Sequence, residues 1–206
     1  ITWVAYTASG QCGDDLTWVL DDNGVLTITG TGDMWDFTDA PAPWFQYREQ
    51  IQSVELPDGL TGIGNYAFYM CSGLASVTFP ASLTRIGASA FYLAGLKELR
   101  FEGSAPNIGA DAFSFVTATA YYPADDDTWT EAVRQNFGGE ITWIPCVGGK
   151  PVNSFTDVPE GKWYTTPVLW AVQNGVTSGV DAEHFAPDNG CTRGQVVTFL
   201  YRYANK

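Results

Sequence analysis

Apolar and polar residues follow a pattern that recurs three times in the middle of the chain. The copies begin at Ile51, Leu74 and Leu96, so the pattern returns after 23 and then 22 residues. Each copy has apolar residues at its first, fourth and sixth positions, then an Ile-Gly pair and an Ala-Phe pair. This period is typical of a solenoid whose repeat is one short strand plus a turn or helix. The pattern therefore predicts stacked repeats at 51–73, 74–95 and 96–116.

The polar positions of each predicted strand face solvent, because successive side chains of a strand point to opposite sides. These positions are Ser53, Glu55, Ser76, Thr78, Glu98 and Arg100. We call this set the strand-face ladder and predict it as the recognition face of the repeats. The alternative is an ordinary solvent-facing sheet, which carries the same residue types. The Ala-Phe pairs predict one small and one large core side chain per layer, within a short helical turn.

Atypical segments flank the repeats and are predicted to cap them, since the open end of a solenoid exposes apolar surface and strand edges. Two alternating runs joined at Asn23-Gly24 predict a β-hairpin over about 16–29. Trp44 and Phe45 then belong to a first, imperfect repeat. After Phe115 the pattern predicts a strand, a helix near 129–136 and a closing strand at 141–144.

The remainder of the chain does not continue the repeat. A stretch rich in Gly and Pro predicts a linker at 148–152, between a repeat domain at 1–147 and a second domain at 153–206. One helix is predicted at 164–174, before Gly175, and a second from Thr192, where Gln195 completes a capping box. The predicted fold class is α+β: a short solenoid with an N-terminal hairpin cap, plus a small helix-loop-helix domain.

Charge restricts the partners that this chain can attract. The 206 residues carry a formal net charge of −13. Residues 1–150 hold 18 acidic and 6 basic side chains, a net charge of −12, whereas residues 151–206 hold 5 and 4, a net charge of −1. The acidic surface disfavours nucleic acid and anionic lipid, so neutral sugars, cations or basic proteins are the expected partners. No apolar run is long enough to insert into a membrane, and the opening residues lack a signal peptide, which we expect was removed.

Catalytic and metal chemistry find little support. His184 is the only histidine, and no nucleophile signature surrounds it. The four cysteines (Cys12, Cys71, Cys146 and Cys191) include no C-x-x-C pair, so buried thiols are favoured over a zinc site or a disulfide of undefined pairing. Asp125, Asp126 and Asp127 lack the spacing and glycine of a calcium loop. We therefore predict no catalytic residue, no metal site and no cofactor, and a glycan-active enzyme is the minority hypothesis.

The repeats, with their recurring LTxIGxxAF phrase, resemble the BspA-like leucine-rich repeat family of bacterial surface proteins. The resemblance extends over about 9–145 and includes the opening SGQCGDDLTWVLDDNGVLTITGTGDM. It implies a curved solenoid used for adhesion or another surface interaction, and it does not imply an enzyme.

The C-terminal domain resembles a single S-layer homology (SLH) module. The shared positions include Phe155-x-Asp157-Val158, Trp163-Tyr164, Trp170-Ala171-Val172, Phe185-x-Pro187 and Thr192-Arg193. The resemblance implies attachment to a secondary cell-wall polysaccharide, often a pyruvylated one, through Asp157, Trp163 and Arg193. Thr-Arg-Gly-Gln replaces the family's Thr-Arg-Ala-Glu, and one module stands where the family usually combines three. Ion pairing of Arg193 with Asp157 or Asp188, and a core position for Trp163, are the structural alternatives.

These features predict a secreted, non-enzymatic protein of the bacterial cell surface. The repeat domain presents a face that binds a protein or a glycan, and the SLH module attaches to the wall polymer. Because one module forms an incomplete groove, self-association through SLH modules is expected. The rival hypothesis is a rigid spacer, a fragment of a larger surface protein with no ligand of its own.

Overall fold

The computed structural model describes residues 6–38, 41–147, 150–151, 155–159, 164, 168, 171–172, 176–181, 183–190, 195 and 198. The chain divides into two compact units, Ile1–Ile144 and Pro145–Lys206. We refer to them as the repeat unit and the C-terminal unit. The position of this division lies close to the predicted domain boundary.

The strands form three sheets. The first has the order β1-β2-β3-β5 and contains β1 (Tyr6–Gln11), β2 (Leu16–Asp21), β3 (Val25–Gly30) and β5 (Ser53–Glu55). The second has the order β10-β8-β6-β4 and contains β4 (Gly32–Asp33), β6 (Leu60–Ile63), β8 (Arg85–Ile86) and β10 (Asn107–Ile108). The third has the order β13-β12-β11-β9-β7 and contains β7 (Ser76–Phe79), β9 (Glu98–Phe101), β11 (Thr117–Pro123), β12 (Glu140–Val147) and β13 (Lys150–Pro151).

Equivalent strands pair in parallel between the second and third copies (β7 with β9) and along the second sheet (β6 with β8, and β8 with β10), as the predicted solenoid requires. Ser76 lies opposite Glu98 and Phe79 opposite Phe101, a shift of 22 residues that equals the sequence period. The apolar positions of the repeat point inward: Val77, Phe79, Leu99 and Phe101 are all buried. The predicted β-solenoid is therefore confirmed for the repeat unit.

A column of buried aromatic rings runs through the core. Phe91 stacks between Phe68 and Phe113, with ring centroids 5.0 and 5.6 Å away. Trp44 continues the column, 5.7 Å from Phe68, and its indole N–H donates to the Ala67 carbonyl. Trp44 thus occupies the equivalent core position in the predicted imperfect first repeat.

The segments that carry the Ala-Phe pairs are turns, and the predicted short helical turn is wrong. Alternate N–H groups donate to the next copy along the solenoid: those of Tyr66, Phe68 and Met70 bond to the carbonyls of Ala88, Ala90 and Tyr92. Tyr66 and Met70 have positive φ, of 57° and 59°, so the backbone leaves the helical region every few residues. The intervening N–H groups bond three residues back within the same copy, as Tyr69 does to the Tyr66 carbonyl, so bonds between copies alternate with local turns and no continuous helix forms.

Glycine is required where copies approach most closely. A Cβ atom on Gly87 would lie 2.4 Å from the backbone nitrogen of Asn65. No side chain fits there without separating the two copies.

The N-terminal hairpin is confirmed, and β1 extends it to three antiparallel strands. β2 and β3 pair from Leu16 opposite Gly30 to Leu20 opposite Leu26. Gly24 has a φ of 79°, and the Asp21 carboxylate accepts the N–H groups of Asn23 and Val25 across the turn. This three-stranded N-terminal segment joins the solenoid through the parallel pairing of β3 and β5.

The other end of the repeat unit differs from the prediction in one element. The strands at 117–123 and 140–147 are present, but the helix predicted near 129–136 is wrong, because turns and irregular backbone occupy those residues. Trp129 packs there on Phe101, at 4.7 Å between ring centroids, and donates its indole N–H to the Gly103 carbonyl. Tertiary packing of Trp129 holds this segment in an irregular form.

Only part of the C-terminal unit is described. Phe155, Val158 and Val168 form its small apolar cluster. The predicted helices at 164–174 and from Thr192 lie mostly outside the described residues, and no α-helix has described ends. Helical backbone is assigned at Val168, Ala171, Val172, Gln195 and Thr198. The helix-loop-helix, and with it the α part of the predicted α+β class, stays a prediction.

The structure describes two residues of the predicted linker at 148–152, and the linker itself stays a prediction. Lys150 and Pro151 form β13, which pairs antiparallel with Cys146 and Val147 of β12. Backbone pairing makes these two residues part of a sheet.

Candidate functional sites

The strand-face ladder lies on the outer side of three strands, as the alternation predicts. Glu55, Ser76, Thr78 and Glu98 are exposed, whereas Ser53 and Arg100 are half-buried. Ser76 is the register partner of Glu98, and Thr78 that of Arg100. The structure therefore places the six residues at corresponding, outward-facing positions of β5, β7 and β9.

The ladder is divided between two sheets. Ser53 and Glu55 belong to β5, which pairs with β3, whereas the other four residues belong to β7 and β9. An open groove follows the junction between β5 and β7, and its lining includes Ser53, Glu55, Asp58, Ser76, Thr78 and Glu102. Hydroxyl and carboxylate groups dominate this groove.

Some ladder side chains already have partners within the repeat unit. Arg100 lies 3.4 Å from the Glu98 carboxylate and places its guanidinium 4.9 Å from the centre of the Tyr121 ring. Thr27 donates to Glu55 at 3.0 Å. Exposed pairs of this kind contribute little stability, so a ligand can compete for them at small cost.

Asp157 is the only residue of the predicted wall-polymer site that the structure describes; Trp163 and Arg193 lie outside the described residues. Oδ1 of Asp157 accepts the Phe185 N–H at 2.9 Å, and Oδ2 of Asp157 accepts the Ala186 N–H at 2.6 Å. Partial desolvation raises the pKa of Asp157, but these two N–H groups, together with the Asp157 N–H and the charge of His184, lower it overall. Both carboxylate oxygens therefore hold the 185–186 backbone in place.

His184 lies in the same loop, where Nδ1 is 3.0 Å from Oδ1 of Asp181. Both side chains are about half exposed, with relative exposures of 50% and 57%. Asp181 also accepts the backbone N–H groups of Glu183 and His184, which identifies the pair as part of a loop scaffold.

The described cysteines are buried. Burial raises the pKa of Cys12 and of Cys71 to about 12, so both remain protonated thiols of low reactivity at neutral pH. Cys146 is buried as well, and Cys191 lies outside the described residues.

The three-aspartate run is built into a turn. Asp126 accepts hydrogen bonds from the Thr128 backbone and hydroxyl and from the Ser104 hydroxyl, and these bonds lower its pKa.

Within the described part of the chain, no three His, Cys, Asp or Glu side chains are grouped to hold a metal ion. That part also contains no helix with the length and apolarity of a membrane span.

A second polar site, which the sequence did not indicate, surrounds Trp35. The Trp35 side chain is 43% exposed and donates its indole N–H to Oδ1 of Asp14 at 2.9 Å. It lies in an open pocket whose lining also includes Asp33, Asp36, Thr61 and Arg85. These residues come from the segment after β3, from β6 and from β8. The run Asp33-Met34-Trp35-Asp36 is the local signal: a tryptophan next to carboxylates at the edge of the repeat.

Asp36 bonds to residues of this pocket region that are far apart in the sequence. Its Oδ1 accepts the Asn65 N–H at 2.8 Å and the Arg85 guanidinium at 3.0 Å. Desolvation raises the pKa of Asp36, but the hydrogen bonds from the Asn65 N–H and Arg85, and the charge of Arg85, have the larger effect. The pKa is lowered overall, so the carboxyl group is ionised at neutral pH.

Stacked parallel strands with polar outer faces define the repeat unit as a repeat protein of the solenoid class. Comparison with known families agrees: residues 39–122 match the BspA type leucine-rich repeat region in 6 copies, and residues 154–197 match the S-layer homology domain. The chain therefore contains a BspA-type leucine-rich repeat region followed by an S-layer homology domain. Both predicted resemblances and their order are confirmed.

Among solved structures, a leucine-rich repeat protein from Eubacterium ventriosum is similar to this chain, with 32% sequence identity and a TM-score of 0.50. The match covers 56% of this chain and 32% of that one, so the chain spans about a third of that protein. The comparison with curated proteins found no match. The two families are non-catalytic binding or structural domains, and they indicate a bacterial protein associated with the cell surface or wall.

Proposed function

We propose that this chain is a secreted, non-enzymatic display protein, attached to the cell wall by its C-terminal unit and presenting its repeat unit for adhesion. The observation that carries the proposal is the succession of a polar-faced solenoid and an S-layer homology domain in one chain. S-layer homology domains as a class bind cell-wall polysaccharides. The strand-face ladder supplies the second binding surface.

The proposed wall ligand is a secondary polysaccharide with pyruvylated sugars. Arg193 suits the pyruvyl carboxylate, because a guanidinium binds a carboxylate with two parallel hydrogen bonds. Trp163 offers an indole face for the sugar ring. Asp157 has a positioning role in this proposal, since its carboxylate oxygens bond to the backbone of Phe185 and Ala186.

Retention on purified pyruvylated wall polysaccharide tests the attachment. Arg193→Ala should weaken retention at least about tenfold, as expected for the loss of a charge-assisted bidentate contact. Lys97→Ala, which removes an exposed positive charge from the repeat unit, should retain wild-type binding. Removing the pyruvyl groups from the polymer should bring the wild type down to the level of Arg193→Ala.

Two results would contradict the wall proposal in different ways. Equal retention of the wild type and Arg193→Ala removes the role of Arg193. Failure of the wild type to bind the polymer in any assembly state removes wall attachment itself.

A glycan and host-protein array probed with the whole chain tests the adhesion role. Thr78→Arg places a large charged side chain at an exposed position of the strand-face ladder and should abolish the specific signals. Signals that persist in Thr78→Arg would exclude the ladder as the binding surface. A blank array would favour the rigid spacer.

A further inference from the structure

We propose that Trp35 and its polar neighbours form a carbohydrate-binding site for neutral sugar rings, separate from the strand-face ladder. The site lies on the second sheet, where residues of β4, β6 and β8 line the pocket. The inference rests on the proposed surface role of the repeat unit, and it does not depend on wall attachment by the C-terminal unit.

The indole ring is exposed but fixed in orientation. Asp14 accepts the indole N–H at 2.9 Å, and the backbone N–H of Trp35 donates to the Cys12 carbonyl at 2.8 Å. A Cβ atom on Gly64 would lie 1.8 Å from the Trp35 carbonyl oxygen, so the backbone is also tightly seated. A ring held in this way loses little conformational entropy on binding. The 43% of its surface left exposed can pack against the apolar C–H face of a sugar ring.

Hydrogen-bond acceptors beside the indole complete the requirements of a sugar site. Asp33 uses Oδ1 to accept the Thr61 hydroxyl at 2.5 Å, and Asp36 uses Oδ1 for both of its bonds. Among the described residues, no donor bonds to Oδ2 of either carboxylate. A carboxylate accepts about four hydrogen bonds, so both groups keep capacity for ligand hydroxyls. An aromatic surface with a few fixed polar groups is typical of a small-ligand site.

Charge selects the class of sugar. Four carboxylates, those of Asp14, Asp15, Asp33 and Asp36, line the pocket with a single guanidinium, that of Arg85. An anionic sugar would be repelled, whereas the hydroxyls of a neutral sugar donate to carboxylates. The specificity is therefore opposite to that proposed for the C-terminal unit.

Titration of the ¹⁵N-labelled whole chain with defined oligosaccharides tests this site directly. The probes are cellohexaose, chitohexaose and mannohexaose as neutral sugars and trigalacturonic acid as the anionic one. The readout is the indole N–H signal of Trp35, which Trp35→Phe assigns by its loss. At least one neutral probe should shift this signal at millimolar concentration, and the anionic probe should leave it unchanged.

Affinities for that neutral probe should follow the geometry. Trp35→Ala should weaken binding at least about tenfold, Trp35→Phe should retain part of it, and Asp36→Asn should weaken it. Phe115→Ala serves as the matched control, since Phe115 is another exposed aromatic residue of the repeat unit at 69% exposure. Thermal unfolding of every variant separates loss of binding from loss of fold.

Each remaining outcome counts against the inference. Absence of a shift with all neutral probes, or equal affinity of Trp35→Ala and the wild type, overturns the site. Equal binding of the anionic probe overturns the charge argument, and a Trp35-dependent protein ligand without a sugar shift would assign the surface to protein binding. Because Arg193→Ala should leave the Trp35 titration unchanged, failure here is distinguishable from failure of wall attachment.

Discussion

His184 and Asp181 form a hydrogen-bonded pair in which the pKa values of both side chains are shifted. The hydrogen bond that the imidazole donates to Asp181, and the negative charge of Asp181, raise the pKa of His184; Asp157 and Glu183 add to the effect, while partial desolvation opposes it. A raised pKa in the folded state means that folding favours the protonated ring. The stabilisation is present below the pKa of the unfolded state and is lost as pH rises through the folded value.

An NMR titration of the single histidine should show this effect without overlap. We expect a pKa above the ordinary value of about 6.5 for His184. Asp181→Asn should lower it, because the substitution removes the largest contribution, whereas Glu183→Gln should change it less. An unchanged pKa in Asp181→Asn would show that the pair does not persist in solution.

Residue type predicted location better than role. The apolar positions of the repeats were predicted to be buried and most are, whereas Val54, Leu56 and Ile108 are half-buried. Trp35 was missed as a site residue, because its partner Asp14 is 21 residues away in the sequence and no local pattern indicates that contact. Polymer binding by Asp157 stays a prediction, and its carboxylate accepts backbone N–H groups 28 and 29 residues further on, which the sequence pattern did not indicate. Contacts of this range depend on the fold.

At the scale of elements, the aromatic column joins one copy of the repeat to the next. Phe91 is fully buried, stacks on a ring on each side, and also meets Phe79 edge-on at 5.8 Å. Since solenoid copies contact only their neighbours, a central layer contributes to two interfaces at once.

Phe91→Ala should therefore destabilise the repeat unit by about 3 to 5 kcal/mol, through lost burial and the cavity it leaves. Phe115→Ala removes the same number of atoms from a side chain that is 69% exposed, and it should change stability by less than about 0.5 kcal/mol. Denaturant unfolding followed by far-UV circular dichroism gives both values. Similar effects of the two substitutions would mean that the column is not the main contact between copies.

The helical turns and the helix near 129–136 were predicted from local patterns, and both predictions were wrong. Alternate N–H groups of the Ala-Phe segments donate to the following copy, as that of Phe68 does to the Ala90 carbonyl. The hairpin and the first strand of each copy were predicted correctly, because alternation and Asn-Gly turns act over a few residues. The second strand of each copy (β6, β8 and β10) was not predicted. Elements fixed by neighbours in sequence were thus predictable, and those fixed by neighbours in space were not.

At the scale of the whole molecule, charge is distributed unevenly. The net charge of −12 over residues 1–150 repels an anionic wall polymer, while residues 151–206 carry only −1. Repulsion between exposed charges is screened beyond about 8 Å at physiological ionic strength. In the proposed attachment, the C-terminal unit therefore supplies the attraction through short-range contacts, and a single module supplies few of them.

Multivalent assembly should consequently strengthen wall binding sharply. A chain biotinylated at its N-terminus and assembled on streptavidin should bind immobilised pyruvylated polymer about 10² to 10⁴ times more tightly than the monomer, because later binding events become intramolecular. Surface plasmon resonance at physiological salt measures both forms. The assembled Arg193→Ala variant should stay near the monomer level, which separates avidity from nonspecific adsorption. Equal affinity of monomer and assembly would show that one S-layer homology module suffices, and would remove the need for self-association at the wall.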